Sequence, residues 1–566
     1  MVLSSCIARF CAAAPLLGLL AASCKAAPVL DSVVSLNKSI STPHGKVVGS
    51  VADNVVRYTV PYAQPPVGDL RWKAASAIGP WNNVDGTQLP QACTQYDVSN
   101  TNIIGSEDCL FMNVYAPADA AATAALPVMV WLHGGSFLQG SPSDLDEGAR
   151  SLASQQRVVV VTVQYRLGIF GFLGYYGYAG NQGLTDVIQA LTFVKSDLKA
   201  YGADPSQVTL AGQSSGAEMV KTLLVTDAAD SLFSRAILQS APLDYPDQSY
   251  ATAAELSKYI YKSLNCPDRR VWPCIRQQSV EKMMAVQSDV QQLASVGQWA
   301  SRSDFAFAEP FRINIDGRIV TKDFRKVVAS GQPLNVPSRP VIWSTVKDEG
   351  CNGVQKVYVL LLFSSLSQPL PASFWPTNAP GIVASFFTNR AGDILASGKY
   401  DPSNIPDDAD AFRNEFIQLT TDFTWVCPTQ QTALNSTAAS GYRGNVYLAE
   451  FDVGISKHAE GENDYCAGGV GHEDDIKLLF RKDVSTSVQG AVSSDVQARW
   501  GSFIRTGNPN RAAASLGLVN WPPVAASAGD LNVLVLGADA STGKSAVKKS
   551  QRDDICKIGS GLYSPR

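Results

Sequence analysis

The sequence predicts an α/β protein in which helices cover both faces of a large, mostly parallel β-sheet. Two continuous valine-rich runs, residues 128–133 and 158–165, are typical of strands buried on both faces. Residues 184–201 have the periodicity of an amphipathic helix, which Gly202 and Pro205 bring to an end. This alternation of strand and helix favours a parallel sheet. Because no repeat, charge block or long linker interrupts the alternation, we expect one large domain with inserted loops.

The next strand and helix enclose the first functional signal. Residues 208–211 form another short apolar run, and residues 218–225 have helical character. Between them stands the sequence Gly212-Gln213-Ser214-Ser215-Gly216. A Gly-x-Ser-x-Gly sequence between a strand and a helix is typical of a nucleophile elbow, a turn so tight that small residues must flank the serine. The turn presents the serine hydroxyl to a base and a substrate, so Ser214 is a candidate nucleophile.

A serine nucleophile needs a base that takes its proton and an acid that orients the base. On sheets of this kind the acid and then a histidine follow the serine along the chain. Residues 340–346 are predicted to form another strand, and Asp348 and Glu349 both lie just beyond its end. Either carboxylate is therefore placed to meet an imidazole.

Only His458 and His472 follow the candidate nucleophile along the chain. His472 lies in a glycine-rich loop directly before an apolar run, whereas His458 lies in a polar stretch typical of a solvated surface. We therefore favour His472 as the base.

Backbone N–H groups that stabilise an oxyanion are predicted at the end of the run 128–133. The sequence continues as His133-Gly134-Gly135-Ser136, and its glycines let the main chain approach a substrate oxygen closely. Gly135 and Ser136 are candidate donors, together with the N–H of Ser215 after the nucleophile.

Composition argues against several other functions. The net charge of −4 gives no electrostatic reason to expect binding to nucleic acid. The chain has only 4 histidines, none of them paired at helical ligand spacing, so we do not expect a catalytic metal. A serine nucleophile with a histidine base needs no cofactor, so we expect none.

Residues 1–27 are predicted to be a secretory signal, which leaves residues 28–566 as the mature domain. Arg9 precedes an apolar run over residues 10–22 that is shorter than the roughly 20 residues a membrane-spanning helix needs. Removal of the signal leaves an even number of cysteines, as expected of disulfides in an exported protein. Asn37 and Asn435 stand in glycosylation sequences that fit the same compartment, and we expect no transmembrane anchor.

Several motifs, taken together, resemble those of the type B carboxylesterase and cholinesterase-like family of α/β-hydrolases. One segment is nearly identical to a family signature: Glu107-Asp108-Cys109-Leu110-Phe111-Met112-Asn113-Val114-Tyr115. Further matching segments are 61–68, 70–72, 165–173, 180–184, 347–350 and 505–510. Their order along most of the chain makes the resemblance specific, and it implies the α/β-hydrolase fold.

The resemblance implies a triad of Ser214, Glu349 and His472, with oxyanion donors at Gly135, Ser136 and Ser215. It also implies the disulfides Cys93–Cys109, Cys266–Cys274 and Cys427–Cys556. Cys351 and Cys466 are left over. Because each lies near a proposed member of the triad, we predict a further disulfide between them.

The sequence departs from the family pattern beside the nucleophile. Gln213 stands where the family usually has glutamate, so a hydrogen-bonding side chain replaces a charged one. Ser136 and Ser215 replace smaller residues, but their backbone donors remain. Ser240 matches a family serine that supports the acid or the base. We expect activity with a shifted pH profile.

These observations predict a secreted carboxylic-ester hydrolase that works through an acyl-enzyme on short to medium acyl esters. Family lipases have a long disulfide-bounded flap over the site, but here only 15 residues separate Cys93 from Cys109. A lipase or sterol esterase for long-chain lipid esters is the alternative enzyme. A catalytically inactive adhesion protein is the alternative class, and the presence of all three triad residues argues against it.

Overall fold

The computed structural model describes residues 37–174, 180–267, 270–295, 309–351, 380–381, 383–384, 387, 390–401, 411–455, 469–525 and 531–558. These residues all lie in one compact unit of the chain. The predicted signal, His458 and Cys466 fall outside the described residues.

A 13-stranded sheet forms the centre of the described fold, in the order β1-β2-β3-β7-β9-β8-β10-β11-β14-β15-β16-β17, with β4 paired to β2. Its middle, from β9 to β16, is parallel throughout. The strands are β1 Asn37–Thr42, β2 Gly45–Ala52, β3 Val55–Pro61, β4 Asn83–Gly86, β5 Gln95–Tyr96, β6 Ile103–Ile104, β7 Phe111–Pro117, β8 Leu126–Leu132, β9 Val159–Val163, β10 Ala203–Gln213, β11 Arg235–Gln239, β12 Gln248–Ser249, β13 Asn314–Ile315, β14 Val341–Val346, β15 Val446–Phe451, β16 Asn532–Leu536 and β17 Ala546–Lys549.

Helices alternate with these strands and cover both faces of the sheet. They are α1 Asp146–Gln156, α2 Gly168–Phe172, α3 Gln182–Asp197, α4 Ser215–Leu223, α5 Tyr250–Ser263, α6 Val271–Arg276, α7 Val280–Ser295, α8 Phe324–Ala329, α9 Ala391–Ala396, α10 Ala411–Thr420, α11 Cys427–Ala438, α12 Asp474–Leu479, α13 Ser487–Thr506 and α14 Asp553–Cys556. A π-helical segment, Thr421–Val426, joins α10 to α11. No helix among the described residues is long and apolar enough to cross a membrane.

Alternate side chains of β8 enter different hydrophobic clusters, because neighbouring residues of a strand point to opposite faces. Val128, Val130 and Leu132 join the cluster that includes side chains of α3 and α4. Met129 and Trp131 join the cluster that includes side chains of α1 and α13. The strand is thus buried on both faces, as its valine-rich sequence predicts.

The predicted elements agree with the structure in kind and differ at their ends. The run 208–211 is the last part of the longer strand β10, and the helix predicted over 218–225 begins at Ser215. The helix predicted over 184–201 becomes a 3-10 turn at Leu198–Tyr201, and Gly202 ends it with φ of 84°. The apolar run 476–480 belongs mostly to α12.

Disulfides join Cys93 to Cys109, Cys266 to Cys274 and Cys427 to Cys556. Cys351 is also disulfide-bonded. The partner predicted for it, Cys466, lies outside the described residues, so that pairing stays a prediction.

Candidate active site

The Gly-x-Ser-x-Gly sequence forms a sharp turn between β10 and α4. Ser214 has φ of 52° and ψ of −127°, a strained conformation for a residue with a side chain. A Cβ atom on Gly212 would lie 2.6 Å from the backbone of Gly216, and one on Gly216 would lie 2.3 Å from the carbonyl of Leu132. The Ser214 N–H donates to the Gln239 carbonyl at 3.0 Å, which anchors the turn to the neighbouring strand β11. Both glycines are therefore required by close packing.

Glu349 and His472 are in direct contact at the carboxyl end of the same sheet. His472 Nδ1 lies 2.5 Å from Glu349 Oε2, and Glu349 Oε1 accepts from the Val346 N–H at 2.9 Å. Glu349 is fully buried, so its carboxylate is fixed by these two bonds. With Nδ1 donating to Glu349, Nε2 of the neutral ring is left as the proton acceptor.

The electrostatic surroundings raise the pKa of His472 to about 9. Burial lowers this pKa, but the negative charge and hydrogen bond of Glu349 more than offset burial, with smaller contributions from Glu473 and Asp475. The site therefore favours the imidazolium, the form that a base reaches when it takes a proton.

Asp348, the other candidate acid, forms hydrogen bonds with other residues than His472. Its Oδ2 accepts from the Val470 N–H at 3.0 Å, and its Oδ1 accepts from Gln418 Nε2 at 2.9 Å. Its backbone also forms a parallel bridge with Gly471. Asp348 thus joins the loop after β14 to the loop that holds His472, while Glu349 faces the imidazole.

Gln213 contacts the candidate base from the side of the nucleophile. Its Nε2 lies 3.1 Å from His472 Nε2, and its fully buried side chain leaves Oε1 without a hydrogen-bond partner in the described structure. The amide N–H donates to the lone pair that a serine hydroxyl needs. The sequence predicts a hydrogen-bonding side chain at Gln213, and the structure identifies its partner as Nε2 of the candidate base.

The predicted oxyanion donors lie beside the turn. Gly135 has φ of 108°, and a Cβ atom there would lie 2.1 Å from the Gln139 carbonyl, so only glycine fits. Among the described residues, the N–H groups of Gly135 and Ser136 form no hydrogen bond to a backbone carbonyl. Ser215 is the first residue of α4, where the N–H has no partner within the helix.

His133 precedes this glycine-rich loop and fixes its position. Its ring stacks on Tyr165 with centroids 4.3 Å apart, and the Tyr165 hydroxyl donates to the His133 carbonyl at 2.5 Å. Burial lowers the pKa of His133 to about 4, so this histidine is neutral at physiological pH.

Ser240 contacts a carboxylate that sequence reasoning missed. Its hydroxyl donates to Asp475 Oδ2 at 3.1 Å, and Gln239 Nε2 donates to the same oxygen at 3.0 Å. Burial, followed by the charge of Glu349, raises the pKa of Asp475 to about 7. In the sequence, Asp475 resembles an ordinary acidic residue in the first turn of a helix; its place three residues after His472 was the available signal.

The π-helical segment packs against the site from the other side. The Trp425 ring lies 5.6 Å from the His472 ring, and its Nε1 donates to the Ser240 carbonyl at 3.1 Å. Thr421 Oγ1 accepts from the Gly350 N–H at 2.9 Å, next to the candidate acid. Such π-helical turns are frequent at functional sites. Among the described residues, no histidine, cysteine and acidic side chains are grouped as a metal ion would require.

The sheet order and the strand–turn–helix around Ser214 define the class of protein, an α/β-hydrolase. A solved structure of PNB esterase superposes with a TM-score of 0.71 and 25% sequence identity, covering 92% of this chain and 98% of that chain. A thermophilic PNB esterase superposes with a TM-score of 0.72 at 24% identity, over 92% of this chain and 99% of that chain.

The sequence identifies the family within this fold class. The profile described as the carboxylesterase family matches residues 36–555. The chain belongs to the carboxylesterase family, and it is a carboxylic ester hydrolase.

Proteins from mammals, bacteria and insects align with most of this chain. Carboxylesterase 1F of Mus musculus is 27% identical, over 87% of this chain and 90% of its own length. Para-nitrobenzyl esterase of Bacillus subtilis is 28% identical, over 85% of this chain and 92% of its own length. Juvenile hormone esterase of Tribolium castaneum is 29% identical, over 90% of this chain and 91% of its own length.

Proposed function

We propose that this enzyme hydrolyses short to medium acyl esters through an acyl-enzyme on Ser214, with His472 as base and Glu349 as the acid that orients it. The observation behind the proposal is the 2.5 Å contact between His472 Nδ1 and Glu349 Oε2, at the sheet edge where the strained Ser214 turn also lies. This is the arrangement in which an imidazole takes a proton at Nε2.

The chemistry follows from these positions. The Ser214 hydroxyl replaces the Gln213 amide at His472 Nε2, gives up its proton and attacks the ester carbonyl. Backbone N–H groups of Gly135, Ser136 and Ser215 receive the oxyanion, and Glu349 stabilises the imidazolium. His472 then protonates the leaving alcohol, and water repeats the sequence on the acyl-enzyme.

Replacement of Ser214 or His472 by alanine tests the mechanism. We expect each variant to lose turnover of a nitrophenyl acetate by on the order of 10⁴-fold or more, with a fold unchanged by circular dichroism. Ser206→Ala is the matched control, because Ser206 is exposed in the same strand β10. Activity of Ser214→Ala at the level of that control would refute the mechanism. A wild-type protein with no hydrolysis at all would favour the adhesion alternative.

We also propose that the protein is exported, with residues 1–27 removed and residues 28–566 forming one domain. The disulfide-bonded cysteines support an oxidising compartment. Asn37 is exposed on β1, and Asn435 is half-buried on α11, where its Oδ1 accepts from Gln431 Nε2 at 2.7 Å. Both remain proposed glycosylation sites. Mass spectrometry of protein recovered from the medium checks the new N-terminus and both asparagines.

A further inference from the structure

The Gln213 side chain lies between the candidate base and the glycine-rich loop that follows β8. Its Nε2 lies 3.1 Å from His472 Nε2. On the loop side, a Cβ atom placed on Gly134 would lie 2.5 Å from Gln213 Oε1 and 3.0 Å from Ser214 Cβ. The amide nitrogen thus contacts the base, while the amide oxygen lies near both the loop and the nucleophile.

The amide oxygen of Gln213 is a buried acceptor that no protein group satisfies. The residue is fully buried, and its Oε1 accepts from no donor among the described residues. Buried polar atoms in proteins are normally hydrogen-bonded, because the bonds to water that are lost on burial must be replaced. An acceptor of this kind beside a nucleophile favours a bound molecule that donates a hydrogen bond.

The backbone around Gln213 holds this acceptor in a fixed place. Gln213 is the last residue of β10 and pairs with Gln239 of β11, and the next N–H, of Ser214, donates to the Gln239 carbonyl at 3.0 Å. Solvent reaches the neighbouring groups, since Ser214 is 7% exposed and the His472 side chain is 15% exposed. Gly134 keeps the loop side of the oxygen free of a side chain.

The second half of ester hydrolysis uses a nucleophile with two O–H groups. Water attacks the acyl carbon, and one of its protons passes to His472 Nε2 while the other stays on the attacking oxygen. Ser214 Oγ then leaves and takes the proton back from His472, and the product acid keeps the retained hydrogen. An acceptor for the retained O–H fixes the orientation of the water while the first proton is transferred.

We propose that Gln213 is a catalytic residue for deacylation, whose Oε1 accepts the retained O–H of the water that attacks the acyl-enzyme. The inference rests on the proposed function, since it requires an acyl group on Ser214 and His472 as base. Acylation does not use this acceptor, because the Ser214 hydroxyl has a single hydrogen, which passes to His472. An alcohol that attacks the acyl-enzyme also has a single O–H, so alcoholysis does not use the acceptor either.

The test is the competition between water and methanol for the acetyl-enzyme formed from nitrophenyl acetate. Gln213→Met is similar in size and lacks the amide oxygen, so hydrolysis should slow while methanolysis does not. We expect the ratio of methyl acetate to acetate to rise about tenfold over the wild type, with Ser214→Ala as the blank. Both nucleophiles use the same base, so a changed pKa of His472 cancels in this ratio. An unchanged ratio would overturn the proposal, because a merely structural role slows both reactions equally.

Two further variants keep the test decisive. Gln213→Glu retains an oxygen acceptor, so its product ratio should match the wild type even where its pH profile moves; a ratio equal to that of Gln213→Met would overturn the proposal. If Gln213→Met does not fold, Gly134→Ala replaces it. Its methyl group would lie 2.5 Å from Gln213 Oε1 and cover the acceptor, so the ratio should rise. A wild-type ratio in Gly134→Ala would also overturn the proposal.

Rapid mixing separates failure of this inference from failure of the proposed function. Gln213→Met should release nitrophenol in a stoichiometric burst, because its acylation is intact and its deacylation is slow. Mass spectrometry of the quenched protein should then find the acetyl group on Ser214. If the wild type and the variant never carry an acetyl group on Ser214, the proposed function fails. If the acetyl-enzyme forms and the product ratios of wild type and Gln213→Met agree, only this inference fails.

Discussion

At the scale of single residues, the protonation of His472 is governed by groups on both sides of its ring. Glu349 holds Nδ1 and raises the pKa to about 9, although burial alone lowers it. Gln213 faces Nε2 with an amide N–H that stabilises the neutral ring. The residue before the nucleophile therefore acts on the base directly.

The raised pKa of His472 predicts activity that increases with pH. The imidazole accepts a proton only when neutral, so kcat/KM should rise through neutral pH toward about 9. The ion pair contributes stability below about pH 6.5, the usual pKa of histidine, and loses it as the pH rises through about 9.

Glu349→Gln should shift the rise of kcat/KM with pH (the acid limb of the pH–rate profile) to lower pH. It should also reduce kcat by roughly 10²–10⁴-fold, because the imidazolium loses its counter-charge. A pH–rate profile of both proteins checks the expectation. An unchanged limb in the variant would show that another group titrates there.

Gln213→Glu should move the acid limb of the kcat/KM profile to higher pH. A carboxylate beside Nε2 favours the imidazolium, so we expect the pKa of His472 to rise and kcat/KM at pH 7 to fall about tenfold for each unit. Gln213→Met, similar in size and uncharged, is the control for lost hydrogen bonding. A Gln213→Glu profile that coincides with Gln213→Met would contradict an electrostatic role.

At the scale of elements, the site is assembled from the carboxyl ends of parallel strands. The glycine-rich loop of Gly134 and Gly135 follows β8, Ser214 follows β10, Ser240 follows β11 and Glu349 follows β14. Ligands of open α/β sheets bind at this edge because strand ends and helix N-termini meet there. The strands supply rigid positions, and the loops supply the chemistry.

Gly135→Ala tests the loop after β8. With φ of 108° and a Cβ atom 2.1 Å from the Gln139 carbonyl, alanine must displace the loop. We expect kcat to fall roughly 10²–10³-fold while KM changes little, since the donors act on the transition state. Gly79→Ala is the control, because no atom lies within 4 Å of the Cβ position at Gly79. Equal kcat in the two variants would exclude these donors.

At the scale of the whole molecule, the Cys93–Cys109 loop bears on substrate choice. It folds as a short hairpin of β5 and β6, and Asp97 Oδ1 accepts from Ser99 Oγ and the Thr101 N–H at 2.8 and 2.9 Å. A small, internally bonded hairpin differs from the long flap of the family lipases.

Rates on nitrophenyl esters of increasing acyl length should therefore be highest for short soluble esters and decline with length. We expect no jump in rate where the ester exceeds its solubility. Initial rates, with Ser214→Ala as the blank, measure this directly. A maximum at long chains with such a jump would favour the lipase alternative.

Much of the fold could be predicted from the sequence, and so could the candidate triad residues, because local patterns indicate them. The valine-rich runs of β8 and β9 and the glycines around Ser214 are local signals. Chain order left only His458 and His472 as candidate bases, and the glycine-rich loop around His472 favoured it. Contacts between distant segments leave no such signal. The bond from Gln213 to His472 depends on side-chain orientation in the folded core, and the bonds from Gln239 and Ser240 to Asp475 depend on the approach of distant segments.

Asp348 joins the acid and base loops through its backbone bridge to Gly471 and its bond from the Val470 N–H. Because the same residue closes both loops, we expect them to open as one cooperative unit rather than separately. Amide hydrogens at Asp348 and Val470 should then exchange with solvent at matching rates. Heat would separate Glu349 from His472 in a single local unfolding step, so activity would be lost before the sheet itself melts.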